Sequence, residues 1–164
     1  MRIVSYSPQY TQGVADLIVP IQREEFQIEI SHQDQPDLMD IPAFYQQGAG
    51  GFWLALDGEQ VVGTIALKDI GQGGGALRKM FVAPSYRGRD KGVAKALLDT
   101  VLDHAKKSGM TTLYLGTTAK FLAAHRFYEK NGFVSIGADA LPDTFPRMTV
   151  DTRFYTLGLG DGGT

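Results

Sequence analysis

Apolar and polar residues alternate along the chain with a period that changes several times, and each change marks an element. "RIVSYS" reads as a short strand, and in "PQYTQGVADLIVPIQREEFQI" the residues Val14, Leu17, Ile18 and Ile21 recur at helical spacing. Ser31 to Gly51 is polar and broken by prolines, which leaves room for a short helix within Asp37 to Gln47. "FWLALDGEQVVGTIALKDI" holds two apolar runs around Asp57-Gly58, a dipeptide that accepts positive φ, so the runs predict a tight antiparallel hairpin. Gly71 to Gly75, "GQGGG", reads as a flexible connection to a third meander strand, "ALRKMFVAP", stopped by Pro84.

In "GVAKALLDTVLDHAKKSG" the residues Val93, Leu97, Leu98, Val101, Leu102 and Ala105 fall on one helical stripe, with Lys106, Lys107 and Gly109 forming a favourable C-terminal end. "TTLYLGTT" predicts a strand, "KFLAAHRFYEKNG" a second helix ending at Gly132, "FVSI" a strand, and "MTVDTRFYTLGL" the last strand after the proline-bearing "GADALPDTFP". The order predicts one mixed α/β domain over residues 1–158, with 159–164 as a frayed tail.

Composition narrows the function. With 164 residues, 43% hydrophobic, 21% charged and a formal charge of -2, the chain matches an ordinary soluble domain and has no global pull toward nucleic acid or anionic membrane. The absence of cysteine removes disulfides, thiolate metal sites and cysteine nucleophiles. "MRIVSYSPQY" does not read as a secretory signal and no apolar run is long enough to span a bilayer, so the expectation is a cytoplasmic protein. Charge is nevertheless segregated: Arg23 to Asp40 carries six acids against one arginine, and Arg78 to Lys95 six bases against Asp90. Two solvated faces explain this blandly; an anion-binding side and a cation-receiving side explain it functionally.

The basic segment contains "YRGRDKGVAKALL", glycines and cations placed directly before a helix. Helix N-termini expose unpaired N–H groups and about half a positive charge, so such a loop receives anions well. Gly88 and Gly92 allow close backbone approach, and Arg87, Arg89 and Lys91 add charge-assisted contacts. Val93-Ala94 after Gly92 excludes a Walker P-loop, and the glycines at 71–75 fail as a dinucleotide fingerprint because no helical pattern follows.

From Met80 to Ile136 the chain resembles the GNAT acetyltransferase superfamily, whose members carry a strand ending in valine and usually proline, then an R/Q-x-x-G-x-G/A loop, then a helix with F/L-Y-E-K-x-G-F. Here these are Val82 and Pro84, then Arg89, Gly92 and Ala94, then Phe127 to Phe133. The resemblance implies a GNAT fold, with a mixed, mostly antiparallel sheet covered by helices on both faces, and acetyl-CoA as co-substrate with no metal. The backbone of Met80, Phe81 and Val82 would hold the pantetheine arm and polarise the thioester carbonyl. Arg87, Gly88, Arg89, Asp90, Lys91, Gly92, Val93 and Ala94 would bind the pyrophosphate. The loop is two residues longer than the common family form, so either Arg87 or Arg89 takes the arginine position. Phe121 stands where many members have an asparagine that bonds the pantetheine.

The resemblance further implies Tyr128 as general acid toward the thiolate, with simple packing as its bland alternative. Glu24, Glu25, Glu29, His32 and Asp34 fall in the segment that forms the acceptor side in family members, where a negative field would draw a cationic amine; a solvated surface is the plainer role for each. His104 and His125 read as surface or interface residues, and "LPDTFPRMTVD" as part of the acceptor pocket. The function implied is N-acetylation of a small-molecule or protein amine, with an acyl-CoA-binding regulatory module as the rival; homodimers, frequent in the family, are implied on the same ground. No aromatic-interleaved basic sheet supports nucleic-acid binding.

Overall fold

The computed structural model describes residues 1–25, 27–88, 90–118, 122–148 and 151–160. Strands β1 (Arg2–Ser5), β2 (Gly51–Asp57), β3 (Gln60–Gly71), β4 (Gly74–Val82), β5 (Thr112–Thr117), β6 (Val134–Ile136) and β7 (Arg153–Gly158) form one seven-stranded sheet in the order β1-β2-β3-β4-β5-β7-β6. Every neighbouring pair is antiparallel except β4 and β5. Helices α1 (Thr11–Pro20), α2 (Pro36–Met39) and α3 (Ile41–Phe44) cover one face, and α4 (Val93–Lys107) and α5 (Leu122–Lys130) the other. The expected fold class is thus the observed one. Among the described residues no helix is long and apolar enough to cross a membrane.

The two larger of the three apolar clusters follow from the predicted patterns. On the α4 face, Val93, Leu97, Leu98, Val101 and Ala105 pack on Val62, Ile65, Leu67 and Leu77. The helix lies close because Gly63 faces it: a Cβ there would come within 2.9 Å of Leu97. On the α1 face, Val14, Leu17, Ile18 and Ile21 pack on Phe52, Leu54 and Leu56. Helix α4 ends in a Schellman closure, with Met110 N–H donating to Ala105 O and Gly109 N–H to Lys106 O. Helix α5 ends in the same way, Phe133 N–H to Tyr128 O and Gly132 N–H to Glu129 O, with Gly132 at φ +93 supplying the left-handed residue. The "YEKNGF" segment is therefore first a helix stop, one that stacks Phe133 edge-on against Tyr128 at 5.5 Å.

Several expectations are corrected. The glycines at 71–75 are not a loose connection; Gly71 ends β3, Gly74 and Gly75 begin β4, and only Gln72-Gly73 turn. Leu159, read as tail, is buried, and its N–H donates to Thr111 O at 2.8 Å, because the strand it follows carries it onto the α4 core; positions 161–164 lie outside the described residues. His125 is 4% exposed, since its position on α5 turns it inward to Thr118 O at 2.9 Å and toward Tyr155. His104 packs edge-on against Trp53 and bonds Ala49 O, and is half-buried.

Leu97 is fully buried at the helix–sheet contact. Leu97→Ala is expected to destabilise the fold by about 2–5 kcal/mol, read from urea unfolding with an unchanged m-value.

Candidate active site

Strands β4 and β5 pair only over Gly74↔Thr112, Gly75↔Leu113 and Ala76↔Tyr114. Beyond that point β4 continues to Val82 and β5 to Thr117 without pairing to each other, so the sheet opens between them. A bulge in β4 accompanies the opening: Thr64 pairs with Phe81 and Ala66 with Arg78, leaving Lys79 and Met80 opposite Ile65 alone. Lys79 takes the extra position at φ +52, and its carbonyl accepts from Thr64 Oγ1 at 2.7 Å.

The bulge resets which side each residue faces. Leu77, Met80 and Val82 pack toward α4, while Phe81 packs toward α1. Arg78 and Lys79, consecutive in sequence, both turn to the α1 side. Arg78 lies over the rings of Phe44 and Tyr45 at 5.4 and 6.0 Å. Lys79 is buried, with Nζ 2.8 Å from Gln35 Oε1 and 3.4 Å from Asp37 Oδ2, and Tyr45 donates to the same Asp37 oxygen at 2.6 Å. Gln22 and Gln35 exchange side-chain hydrogen bonds behind them. A non-glycine residue at positive φ costs stability, and this buried network offsets that cost by fixing the lysine's far end. Burial lowers the Lys79 pKa below the ordinary lysine value, against the opposing pull of Asp37.

The predicted residues fall in several places. Met80, Phe81 and Val82 lie along the open edge of β4, half-buried. Gly88 (φ +111), Asp90, Lys91, Gly92, Val93 and Ala94 form the turn into α4; Gly92 is its N-cap in the left-handed conformation and no side chain caps the helix. Arg89 and Phe121, both named from the sequence, lie outside the described residues. Arg87 donates through Nε to Val82 O at 2.8 Å and forks onto both oxygens of Glu25 at 2.6 and 2.9 Å. It therefore braces the exit of β4 against the segment after α1, and it neutralises one of the acids expected to attract substrate.

Glu24 and Glu25 line a groove of about 460 Å³ with Asp16, Glu59, Val61 and Pro84. Glu29 is exposed, His32 bonds Leu38 O, and Asp34 accepts from Ser31 N and Oγ. The last two thus organise their own loop.

Tyr128 reaches the opening from α5: its hydroxyl meets Met80 Sδ at 3.6 Å, and the ring is buried between Phe133 and Tyr155. Burial alone pushes its pKa well above the ordinary tyrosine value, so the hydroxyl keeps its proton at neutral pH. Sequence reasoning missed the residues across the opening. Asp151 sits over Gly116 of β5, where a Cβ would come within 2.7 Å of its carboxylate, and it accepts from Met148 N–H at 3.0 Å. Desolvation raises the Asp151 pKa above the usual carboxylate value, with Met148 N–H, Arg78, Arg147 and Lys79 pulling the other way. The only advance signal was the segment "PRMTVD" in the predicted acceptor loop.

The sheet is mixed and opens between its one parallel pair, beside a helix start whose N-cap is Gly92. The Acetyltransferase (GNAT) family model matches residues 15–133, and the chain belongs to that family. It is 39% identical over 115 residues to an N-acetylaspartate synthetase of Danio rerio, a match covering 69% of this chain and 40% of that one. It is 38% identical over 128 residues to N-acetyltransferase 8B of Rattus norvegicus, covering 74% and 55%. The chain thus spans about half the length of these relatives or less. A GNAT-family acetyltransferase structure from Staphylococcus aureus superposes with a TM-score of 0.90 at 40% identity, over 96% of this chain and 98% of that one.

Removing one member of the buried pair beneath the bulge leaves an uncompensated charge. Lys79→Met is expected to cost about 3–5 kcal/mol in chemical denaturation, and Lys79→Met with Asp37→Asn to recover most of it.

Proposed function

We propose that the chain transfers an acetyl group from acetyl-CoA directly to a primary amine of a small molecule or protein, with both substrates bound together. The observation that carries this reading is the opening between β4 and β5 beside the uncapped start of α4. An unpaired strand edge continuing into an anion-receiving helix end fits a pantetheine arm joined to a pyrophosphate. The relatives named N-acetyltransferase 8B and N-acetylaspartate synthetase support transfer to nitrogen.

In this reading the backbone of Met80, Phe81 and Val82 holds the pantetheine and aims N–H groups at the thioester oxygen, and Phe121 takes the sequence position at which many family members bond the arm. Gly88, Asp90, Lys91, Gly92, Val93 and Ala94 surround the pyrophosphate. Arg89 supplies the guanidinium there, since Arg87 is engaged by Glu25 and Val82. Acetyl-CoA, when bound, supplies the thioester carbon. An alkylamine has a reference pKa of about 10.4 and must first lose a proton. Tyr128, protonated and turned toward Met80, donates to the departing thiolate.

Acetyl-CoA at about 100 times its Kd should stabilise the protein by about 2.7 kcal/mol, seen as a Tm increase of several degrees. No increase would remove the assignment. Tyr128→Phe should lower kcat by about 10²–10⁴-fold with acetyl-CoA affinity retained, and an unchanged kcat would remove the proton-donor role. Arg89→Glu should weaken acetyl-CoA binding more than Arg87→Glu, which instead loosens the Glu25 contact.

A further inference from the structure

Across the opening from Tyr128, on the α1 side, two half-buried charged groups form no ion pair among the described residues. Arg78 is half-buried and stacked on two aromatic rings, yet among the described residues its guanidinium hydrogen-bonds only Met148 Sδ, at 3.4 Å. It forms no ion pair among the described residues, unlike Arg87, which is forked onto a carboxylate. Asp151 is its counterpart: half-buried over Gly116, it accepts from Met148 N–H and forms no ion pair among the described residues. Both groups touch Met148, the guanidinium at its sulfur and the carboxylate at its amide, so one residue sets the spacing between them.

A guanidinium and a carboxylate held one residue apart present the complement of a zwitterion. We propose that this is the acceptor subsite and that its ligand is a free α-amino acid, its carboxylate forked onto Arg78 and its ammonium against Asp151. The inference rests on the acetyl-transfer reading above and names its substrate class. A planar guanidinium pre-stacked on Phe44 and Tyr45 loses little freedom on binding a carboxylate, which suits bidentate recognition. Lys79 is committed to Asp37, so Arg78 and Arg147 together exceed Asp151 by one positive charge. Arg147 lies over Phe154 at 5.1 Å, at the rim. A bound zwitterion leaves that surplus, which favours acidic over basic side chains. Of the acids expected to attract a cationic amine, Glu25 is neutralised by Arg87.

Asp151 is also placed to move the proton. It takes one proton from the ammonium and releases it to solvent; the freed nitrogen pair forms the C–N bond to the thioester carbon as the C–S bond breaks. The sulfur leaves with its electron pair and receives a proton from Tyr128. The nitrogen's second proton goes out through Asp151, Tyr128 is reprotonated from solvent, and one proton is released in all. Burial has raised the Asp151 pKa, which makes it a better base than an exposed aspartate. Arg78, Arg147 and Lys79 are the charged groups that face it.

The test uses the intact protein, acetyl-CoA and aspartate, glutamate, glycine and lysine, each beside its α-carboxamide, with CoA release monitored. Acids should be turned over with kcat/KM at least tenfold above their amides, and aspartate or glutamate should exceed lysine. Arg78→Gln should raise KM for the acids tenfold or more with kcat little changed and the amides unaffected, and Arg78→Lys should restore part of the loss. Asp151→Asn should lower kcat about 10²–10⁴-fold and abolish the acidic limb of the pH profile, while Tm stays equal or rises because a desolvated charge is gone. Binding is read separately: with CoA present, N-acetylaspartate should raise the Tm of the wild type but not of Arg78→Gln. That shift without any turnover would support the subsite and contradict acetyl transfer. Amides acetylated as well as acids, or Arg78→Gln impairing both alike, would overturn the subsite and leave acetyl transfer standing.

Discussion

The structure depends on the sheet being closed at one end of its parallel pair and open at the other. Three residue pairs join β4 to β5, and then a single extra residue in β4 bends that strand away. A β-strand edge left unpaired inside a domain is costly unless something binds it or covers it. Here the protein maintains the opening actively. Lys79 holds a backbone conformation that favours glycine, and a buried ion pair, a tyrosine and two glutamines keep its side chain in place. The stability put into the bulge is the reason a slot exists where a regular sheet would have sealed.

Everything else in the site is arranged around that slot. From the α4 side come the uncapped helix start and the buried hydroxyl of Tyr128. From the α1 side come Arg78 and Asp151, presented on opposite lips because Gly116 leaves room for the carboxylate. Tyr128 and Asp151, the proposed proton donor and acceptor, thus stand on opposite faces of the sheet, an arrangement in which a thioester held between them would be attacked from one side and lose its sulfur to the other.

Element types and order were legible in the sequence because most elements are amphipathic against one of two cores. Val93 to Ala105 and Val14 to Ile21 both read correctly for that reason. The glycines before α4 and Tyr128 could be singled out from motif spacing, and the spacing itself is physical: "YEKNGF" is the closure that ends α5 and fixes Tyr128. The bulge was invisible, since a lysine in a strand pattern carries no mark of positive φ. Arg78 and Asp151 were hidden for a related reason. They lie 73 positions apart in the chain, and only the loop before β7, through Met148, brings them near one another. His125, expected at the surface or an interface, is buried within the fold, because a single carbonyl partner is enough to satisfy its ring.

The most direct measurement is amide hydrogen exchange with and without acetyl-CoA. Protection should appear in residues 78–82 of β4, residues 115–117 of β5 and the first turn of α4, and leave the paired segment 74–76 unchanged. Protection confined to the groove beside Glu24 and Glu25, or absent from both lips of the slot, would contradict the account.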